Sequence, residues 1–264
     1  MGYLRDLHRL ICTPDLDEKV DGPSRLVSGL SEAVIQKARR EGWHGPVPVP
    51  GRPAGMGLAS PRDTARPHDF STPEGRSRLL HAVAQIELCA VELALDSSLS
   101  FPEAPFEYHR EMLALAAEEA GHFRMLRRRL EETGHRFGDF PVHGNLWSQA
   151  RQAEGLIERM AIVPRILEAR GLDATPALIV RFQRAADGRT AALLEAIYRE
   201  EIGHVAAGGR WFRRFALKSG RDPDDCFAQI VERFHRRNGR GRYAANLGAR
   251  RQAGFSEKEL SLFA

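Results

Sequence analysis

One short pattern, present twice, constrains this chain more than anything else in it: Glu119-Ala-Gly-His122 and Glu201-Ile-Gly-His204, 82 residues apart. Each copy is preceded by a further acid, Glu118 and Glu200. Residues three apart on an α-helix share a face, so each Glu and His pair can grip one cation. The faces that carry them are otherwise apolar. Met112, Leu115, Leu126 and Leu130 surround the first copy; Leu194, Ile197, Val205 and Gly208 surround the second. A bare carboxylate in such company costs several kcal/mol unless something offsets it. The fold must therefore be helical, and it must compensate acids placed inside its core.

Helical periodicity extends well beyond the two motifs. Ser71-Thr72-Pro73-Glu74 is a capped helix start, and Leu79, Leu80, Val83, Ala84, Glu87, Val91 and Leu95 follow at helical period towards Ser97-Ser98. A second helix is expected over 106–133, stopped by Gly134. A third is expected over 148–170, kinked at Pro164 and ended by Gly171, with a short helix after Thr175-Pro176. A fourth runs over 189–218, followed by a tail helix over 223–235 and a short one over 256–263. Residues 134–147 have no helical period; at ~3.3 Å each they would reach ~46 Å, enough to run the ~42 Å length of a 28-residue helix. Two helix pairs joined by a long crossover describe an all-α, ferritin-like four-helix bundle, whose di-metal site takes one Glu from each of two helices and one Glu-x-x-His from each of the other two.

Residues 1–72 read as an N-terminal arm, 73–219 as the bundle and 220–264 as a basic C-terminal extension. Within the arm, 4–12 and 31–41 have short helical patterns. Gly45-Pro-Val-Pro-Val-Pro-Gly-Arg-Pro, then Pro61, Pro67 and Pro73, rule out regular helix from there to residue 73. That stretch should wrap extended over the bundle or hang free.

Each half supplies one lone acid ahead of its motif. Glu87 precedes Glu119 by 32 residues and Glu168 precedes Glu201 by 33; Glu92 and Glu158 compete for the same roles. Four inward carboxylates sum to −4, which two divalent cations would balance while two neutral imidazoles add nothing. Glu118 and Glu200, one turn before each His, either accept the imidazole N–H that faces away from the metal or are solvated surface acids. Tyr198 either bonds a ligand carboxylate or packs in the core. His81 reads as a half-exposed residue near a helix start, and Cys89 as core packing. Carboxylates with one imidazole per ion suit iron or manganese and disfavour copper or structural zinc; two Fe ions are expected, with Mn/Fe or Mn as alternatives.

Composition removes several function classes. No apolar run approaches the ~18 residues of a membrane span, and the N-terminus has no secretory pattern. Three widely spaced cysteines, Cys12, Cys89 and Cys226, form no CxxC and give no disulfide framework; a cytoplasmic protein is expected. Residues 213–251 hold eleven Lys/Arg against four Asp/Glu, although the whole chain carries only +4. That segment is either an anion- or nucleic-acid-binding surface or a solvated and internally paired one.

The strings GRSRLLHAVAQIELCAVELALD, EEAGHFRMLRRRLEETGHRFGDFPVHGNLW, RMAIVPRILEARGLDATP and IYREEIGHVAAGGRWF resemble a ferritin-like bacterial family known as domain of unknown function 455. They cover most of residues 75–212, and ARRQAGFSEKEL near the end is also of the family type. More distantly, IELCAVELA, EEAGHF and LEAR are similar to the non-haem di-iron hydroxylase that modifies isopentenylated adenosine in tRNA. That similarity implies Glu87, Glu119, His122, Glu168, Glu201 and His204 as metal ligands, and it prefers Glu168 to Glu158. Gln85 stands where the family pattern has His.

The expectation is an O2-dependent non-haem di-iron oxidoreductase, a hydroxylase or oxidase, acting on a small or nucleotide-like substrate. No flavin or dinucleotide fingerprint is present, so electrons would come from a separate donor protein; a monomer or dimer is expected. Iron storage or peroxide scavenging would use the same ligands. A non-catalytic RNA-binding module with a structural metal is the remaining alternative.

Overall fold

The computed structural model describes residues 2–43, 45, 49–57, 59, 70–241 and 243–264. Among the described residues the protein is all-helical, with no strand and no helix long and apolar enough to cross a membrane. Two compact units make up the chain, Met1–Trp147 and Ser148–Ala264.

The first unit is built on two long helices, α4 (Pro73–Ser100) and α5 (Phe106–Glu132). Thr72 caps α4 by accepting from the Gly75 amide, and Pro73 occupies its first turn, where a missing N–H costs nothing. Residues 101–105 reverse the chain, so α5 packs back along α4. Past Glu132, Gly134 takes φ 85°, the left-handed conformation that ends helices. Leu88, Val91 and Leu95 of α4 and Leu113, Ala116, Phe123 and Leu126 of α5 are fully buried.

Three helices precede this pair: α1 (Tyr3–Cys12), α2 (Leu16–Gly29) and α3 (Glu32–Glu41). The expected short helices at 4–12 and 31–41 are present, but α2 was not anticipated, because Gly22 and Pro23 interrupt its pattern. Close packing explains them: a Cβ at Gly22 would collide with Leu10. Helix α1 packs on α4, and α2 packs on α5. The described part of the Pro-rich arm is pinned in place. The Gly51 amide donates to Ile11 O (2.9 Å), and Val142 exchanges backbone bonds with Gly57 (3.0 Å) and Ala59 (2.9 Å). Of the prolines read from the sequence, Pro46, Pro48, Pro61 and Pro67 lie outside the described residues.

In the second unit the expected third helix is corrected. Instead of one kinked helix over 148–170, there is a short α6 (Asn145–Ala150, which starts inside the first unit), a break, α7 (Leu156–Ile162), a π-helical segment (Val163–Glu168) and α8 (Ala169–Arg184). Proline in an α-helix clashes with the carbonyl four residues earlier. Here the turn widens around Pro164, and the Ala169 amide reaches back five residues to Pro164 O. Nor does Gly171 end the helix; α8 runs on through Pro176, so the separate helix expected there is absent. Helix α9 (Gly188–Lys218), capped by Asp187 on the Thr190 amide (3.0 Å), packs against α7, the π segment and α8. Gly208 of α9 makes this approach possible, since a Cβ there would overlap the Pro164 ring.

The tail is helical: α10 (Pro223–Asn238), α11 (Leu247–Gln252) and α12 (Glu257–Ser261). Much of its basic charge is paired. Arg213 bonds Glu259 (2.8 Å), Arg250 bonds Asp173 (2.6 Å), Arg251 bonds Glu257 (2.8 Å), and Arg233 meets Glu158. Arg165 is wholly buried, 2.6 Å from Glu259 and with its guanidinium carbon 4.2 Å from the Phe255 ring centroid. Burial lowers its pKa to about 10, and Glu259 opposes the fall.

Candidate metal centre

In the first unit, α5 buries Glu119 and His122 one turn apart, and α4 buries Glu87. His122 Nδ1 lies 3.3 Å from Glu119 Oε2 and 3.3 Å from Glu87 Oε2. His122 is 1% exposed, Glu119 3% and Glu87 7%, so water does little to screen the two acids. The second unit repeats the arrangement. His204 Nδ1 lies 3.3 Å from Glu201 Oε1 on α9, with His204 buried and Glu201 half-buried. Glu168, half-buried, closes the π segment, which packs against α9.

These separations discriminate between two kinds of contact. A charged imidazole–carboxylate hydrogen bond contracts to ~2.7–2.9 Å. Two atoms that bind one cation at ~2.0–2.2 Å, at angles of 90–110°, lie ~3.0–3.4 Å apart. At 3.3 Å the Nδ1–carboxylate pairs of both units are longer than the first kind of contact and within the range of the second. In both units the facing nitrogen is Nδ1. Glu119, His122, Glu201 and His204 are side chains that could hold a metal ion.

The remaining candidates are placed as follows. Glu118 and Glu200 are exposed. The Tyr198 hydroxyl accepts from Asn246 Nδ2 at 3.1 Å, an amide rather than a ligand carboxylate. Glu92 is removed from contention by Lys19 Nζ (2.6 Å) and Arg52 Nη2 (2.8 Å), a wholly buried acid between two cations. Glu158 is occupied by Arg233 and by the Glu154 amide (3.1 Å). His81 is buried rather than half-exposed. It stacks on Phe137 with ring centroids 4.8 Å apart, and its Nε2 accepts from the Gly138 amide at 2.9 Å. Burial lowers its pKa to about 4, with Asp139 opposing. Cys89 is buried, as expected, and burial pushes its thiol pKa well up.

Sequence reading missed several buried charged groups, among them the Arg165–Glu259 pair, Lys19, and Arg250 with its partner Asp173. Lys19 lies in a stretch of acids and small residues with no apolar period to mark it, and Asp173 meets Arg250 only across 77 positions of chain. No local signal would have found either.

Fold and candidate centre together define a class: an all-helical protein with a Glu-x-x-His motif, its histidine buried, in each of its two units. The chain belongs to the family described as "Protein of unknown function (DUF455)", whose profile matches residues 12–261. It is similar to a protein of Haemophilus influenzae (strain ATCC 51907 / DSM 11121 / KW20 / Rd) described as "Uncharacterized protein". The two are 37% identical over 211 residues, 77% of this chain and 72% of that protein. No solved structure matches the chain at a significant level.

Proposed function

We propose that this protein is an O2-dependent non-haem di-iron oxidoreductase, a hydroxylase or oxidase, whose two half-sites act together as one dinuclear centre in a ferritin-like four-helix bundle. Glu87, Glu119 and His122 would supply one half of the ligand set and Glu168, Glu201 and His204 the other. The observation that carries this reading is the duplicated Nδ1–carboxylate spacing of 3.3 Å at two separate Glu-x-x-His motifs. Carboxylate oxygen with a single imidazole per ion favours iron or manganese. Four carboxylates balance two divalent cations without bound protons, which accounts for acids in an apolar core.

When bound, a pair of iron ions supplies the O2 activation that side chains alone cannot. The protein's own part is to present the carboxylates together, to fix each imidazole with Nδ1 toward them, and to keep bulk water away through the apolar faces around Leu126 and Leu194. The substrate would be a small or nucleotide-like molecule, and the electrons would come from a separate donor protein.

The test is metal analysis of protein produced with iron and manganese both available, followed by O2 uptake by the anaerobically iron-loaded protein. About two ions per chain and reductant-dependent O2 consumption are expected. One ion or none, or no O2 consumption by the loaded protein, would overturn the proposal.

A further inference from the structure

The second unit contains a cavity of about 190 Å3, lined by Arg170, Asp173, His235, Arg240, Arg250 and Phe263 among others. That is well beyond the ~10–15 Å3 needed on this measure to admit one water molecule. Its walls are strongly basic. Arg250 is 2% exposed and anchors to Asp173 through Nε (3.0 Å) and Nη2 (2.6 Å). Asp173 also accepts from the Asn246 amide at 2.8 Å, so its charge is already engaged. Arg250 Nη1 has no hydrogen-bond partner, which leaves one donor of a buried guanidinium unused. Among the described residues Arg170 bonds a neutral oxygen, Gln149 Oε1 (3.2 Å), stacks on Phe234, and feels the charge of Asp173 without a direct ion pair. Arg240 is exposed and, among the described residues, has no carboxylate within ion-pair distance. Three guanidinium groups against one carboxylate leave a net charge of +2 at the cavity.

Structural contacts hold Arg250 to Asp173 and Arg170 to Gln149 and Phe234, but none of them neutralises Arg170 or Arg240 by a direct ion pair. A bidentate Arg–Asp pair holding α11 to α8 needs no further cation beside it, and like charges in a confined space repel. Arg170 and Arg240 are stable there only if solvent or an anion screens them. His235 shares this wall: burial, and then the charges of Arg170, Arg240 and Arg250, lower its pKa. The ligand chemistry follows from charge and shape. A phosphate monoester carries close to two negative charges at neutral pH and several acceptor oxygens, and the planar guanidinium fork matches such oxygens in pairs.

We propose that this cavity binds a small molecule through a dianionic phosphate group, with Arg170 and Arg240 as its principal donors and Arg250 completing the positive wall. The site is independent of the metal reading. Every residue in it belongs to the second unit, and none is a proposed metal ligand.

The test is calorimetric titration of the full-length protein at fixed ionic strength with inorganic phosphate, adenosine 5′-monophosphate and adenosine. Saturable binding of the two phosphates and none of adenosine is expected. Tighter binding of the monophosphate than of the free ion would identify a phosphorylated metabolite as the ligand; the reverse would identify phosphate itself. Arg240→Ala and Arg170→Gln should each weaken binding about tenfold, the loss of one charge-assisted contact, with metal content unchanged. Arg240 is exposed, so its replacement does not threaten folding. Absence of saturable phosphate binding, or full binding in both variants, would overturn the proposal; so would a loss of binding that tracks metal content, which would put the phosphate on the metal.

Discussion

His122 and Glu87 sit on different helices, 35 residues apart in sequence, yet Nδ1 of one lies 3.3 Å from Oε2 of the other. A contact made across α4 and α5 cannot arise from helix period alone. It joins the lone acid of the first half to its Glu-x-x-His motif. If the pair shares a cation, chelation should lower the unfolding temperature. At free metal 100-fold above its dissociation constant, the holo form should be about 3 kcal/mol more stable than the apo form. Glu87→Ala and His122→Ala should each cut metal content and abolish most of that difference, read by metal analysis and paired melts with and without chelator.

Glu92 provides the contrasting case. It is a buried acid on the same helix, but Lys19 and Arg52 compensate it. Glu92→Ala should cost about 3–5 kcal/mol by leaving Lys19 charged in an apolar site. The double change Glu92→Leu with Lys19→Met should recover much of that loss. Urea unfolding measures both. Metal content of the folded variants should equal wild type, whereas metal loss would make Glu92 a ligand after all.

His81 predicts the acid response of the first unit. Its folded pKa of about 4 lies below its ordinary 6.5. Between those values the unfolded chain binds the proton and the folded one does not. The stabilisation is therefore complete above pH 6.5 and is lost as pH falls towards 4, about 3 kcal/mol in all. Protonation of Nε2 would also break its bond from the Gly138 amide. In His81→Gln the side-chain oxygen can still accept from that amide without titrating. Denaturant melts at pH 7 and pH 5 should give a smaller difference for this variant than for wild type.

Two glycines of α9 should respond in opposite directions. Gly208→Ala drives a Cβ into the Pro164 ring and should cost about 1–3 kcal/mol. Gly203→Ala meets nothing within 4 Å and should stabilise the helix by up to about 1 kcal/mol. Thermal melts of the two variants should shift to either side of wild type.

The long helices were legible because apolar period and punctuation agreed, Thr72-Pro73 at one start and Gly134 past one end; the Asp187 cap ahead of Gly188 was not read from the sequence. The two motifs were legible for the same reason, as acids on apolar stripes. Where local signals conflicted with packing, the sequence misled. Gly22 and Pro23 look like breakers, yet α2 continues through them because Leu10 needs the space a side chain would fill. Gly171 and Pro176 look like a stop and a restart, but α8 is held as one rod by its packing on α9. Glu92 and Glu87 are five residues apart on one helix and equally acidic, and only the arrival of Lys19 from α2 separates a compensated acid from a candidate ligand.

The π-helical stretch Val163–Glu168 gives the second unit one adjustable joint. A wide turn holds a surplus residue without breaking the rod. Deleting a single residue there would restore ordinary pitch, keep the backbone bonded, and swing everything upstream by about 100° around the axis. Glu168 stands at the downstream edge of that joint, so the direction of this acid relative to α7 depends on the number of residues in one turn.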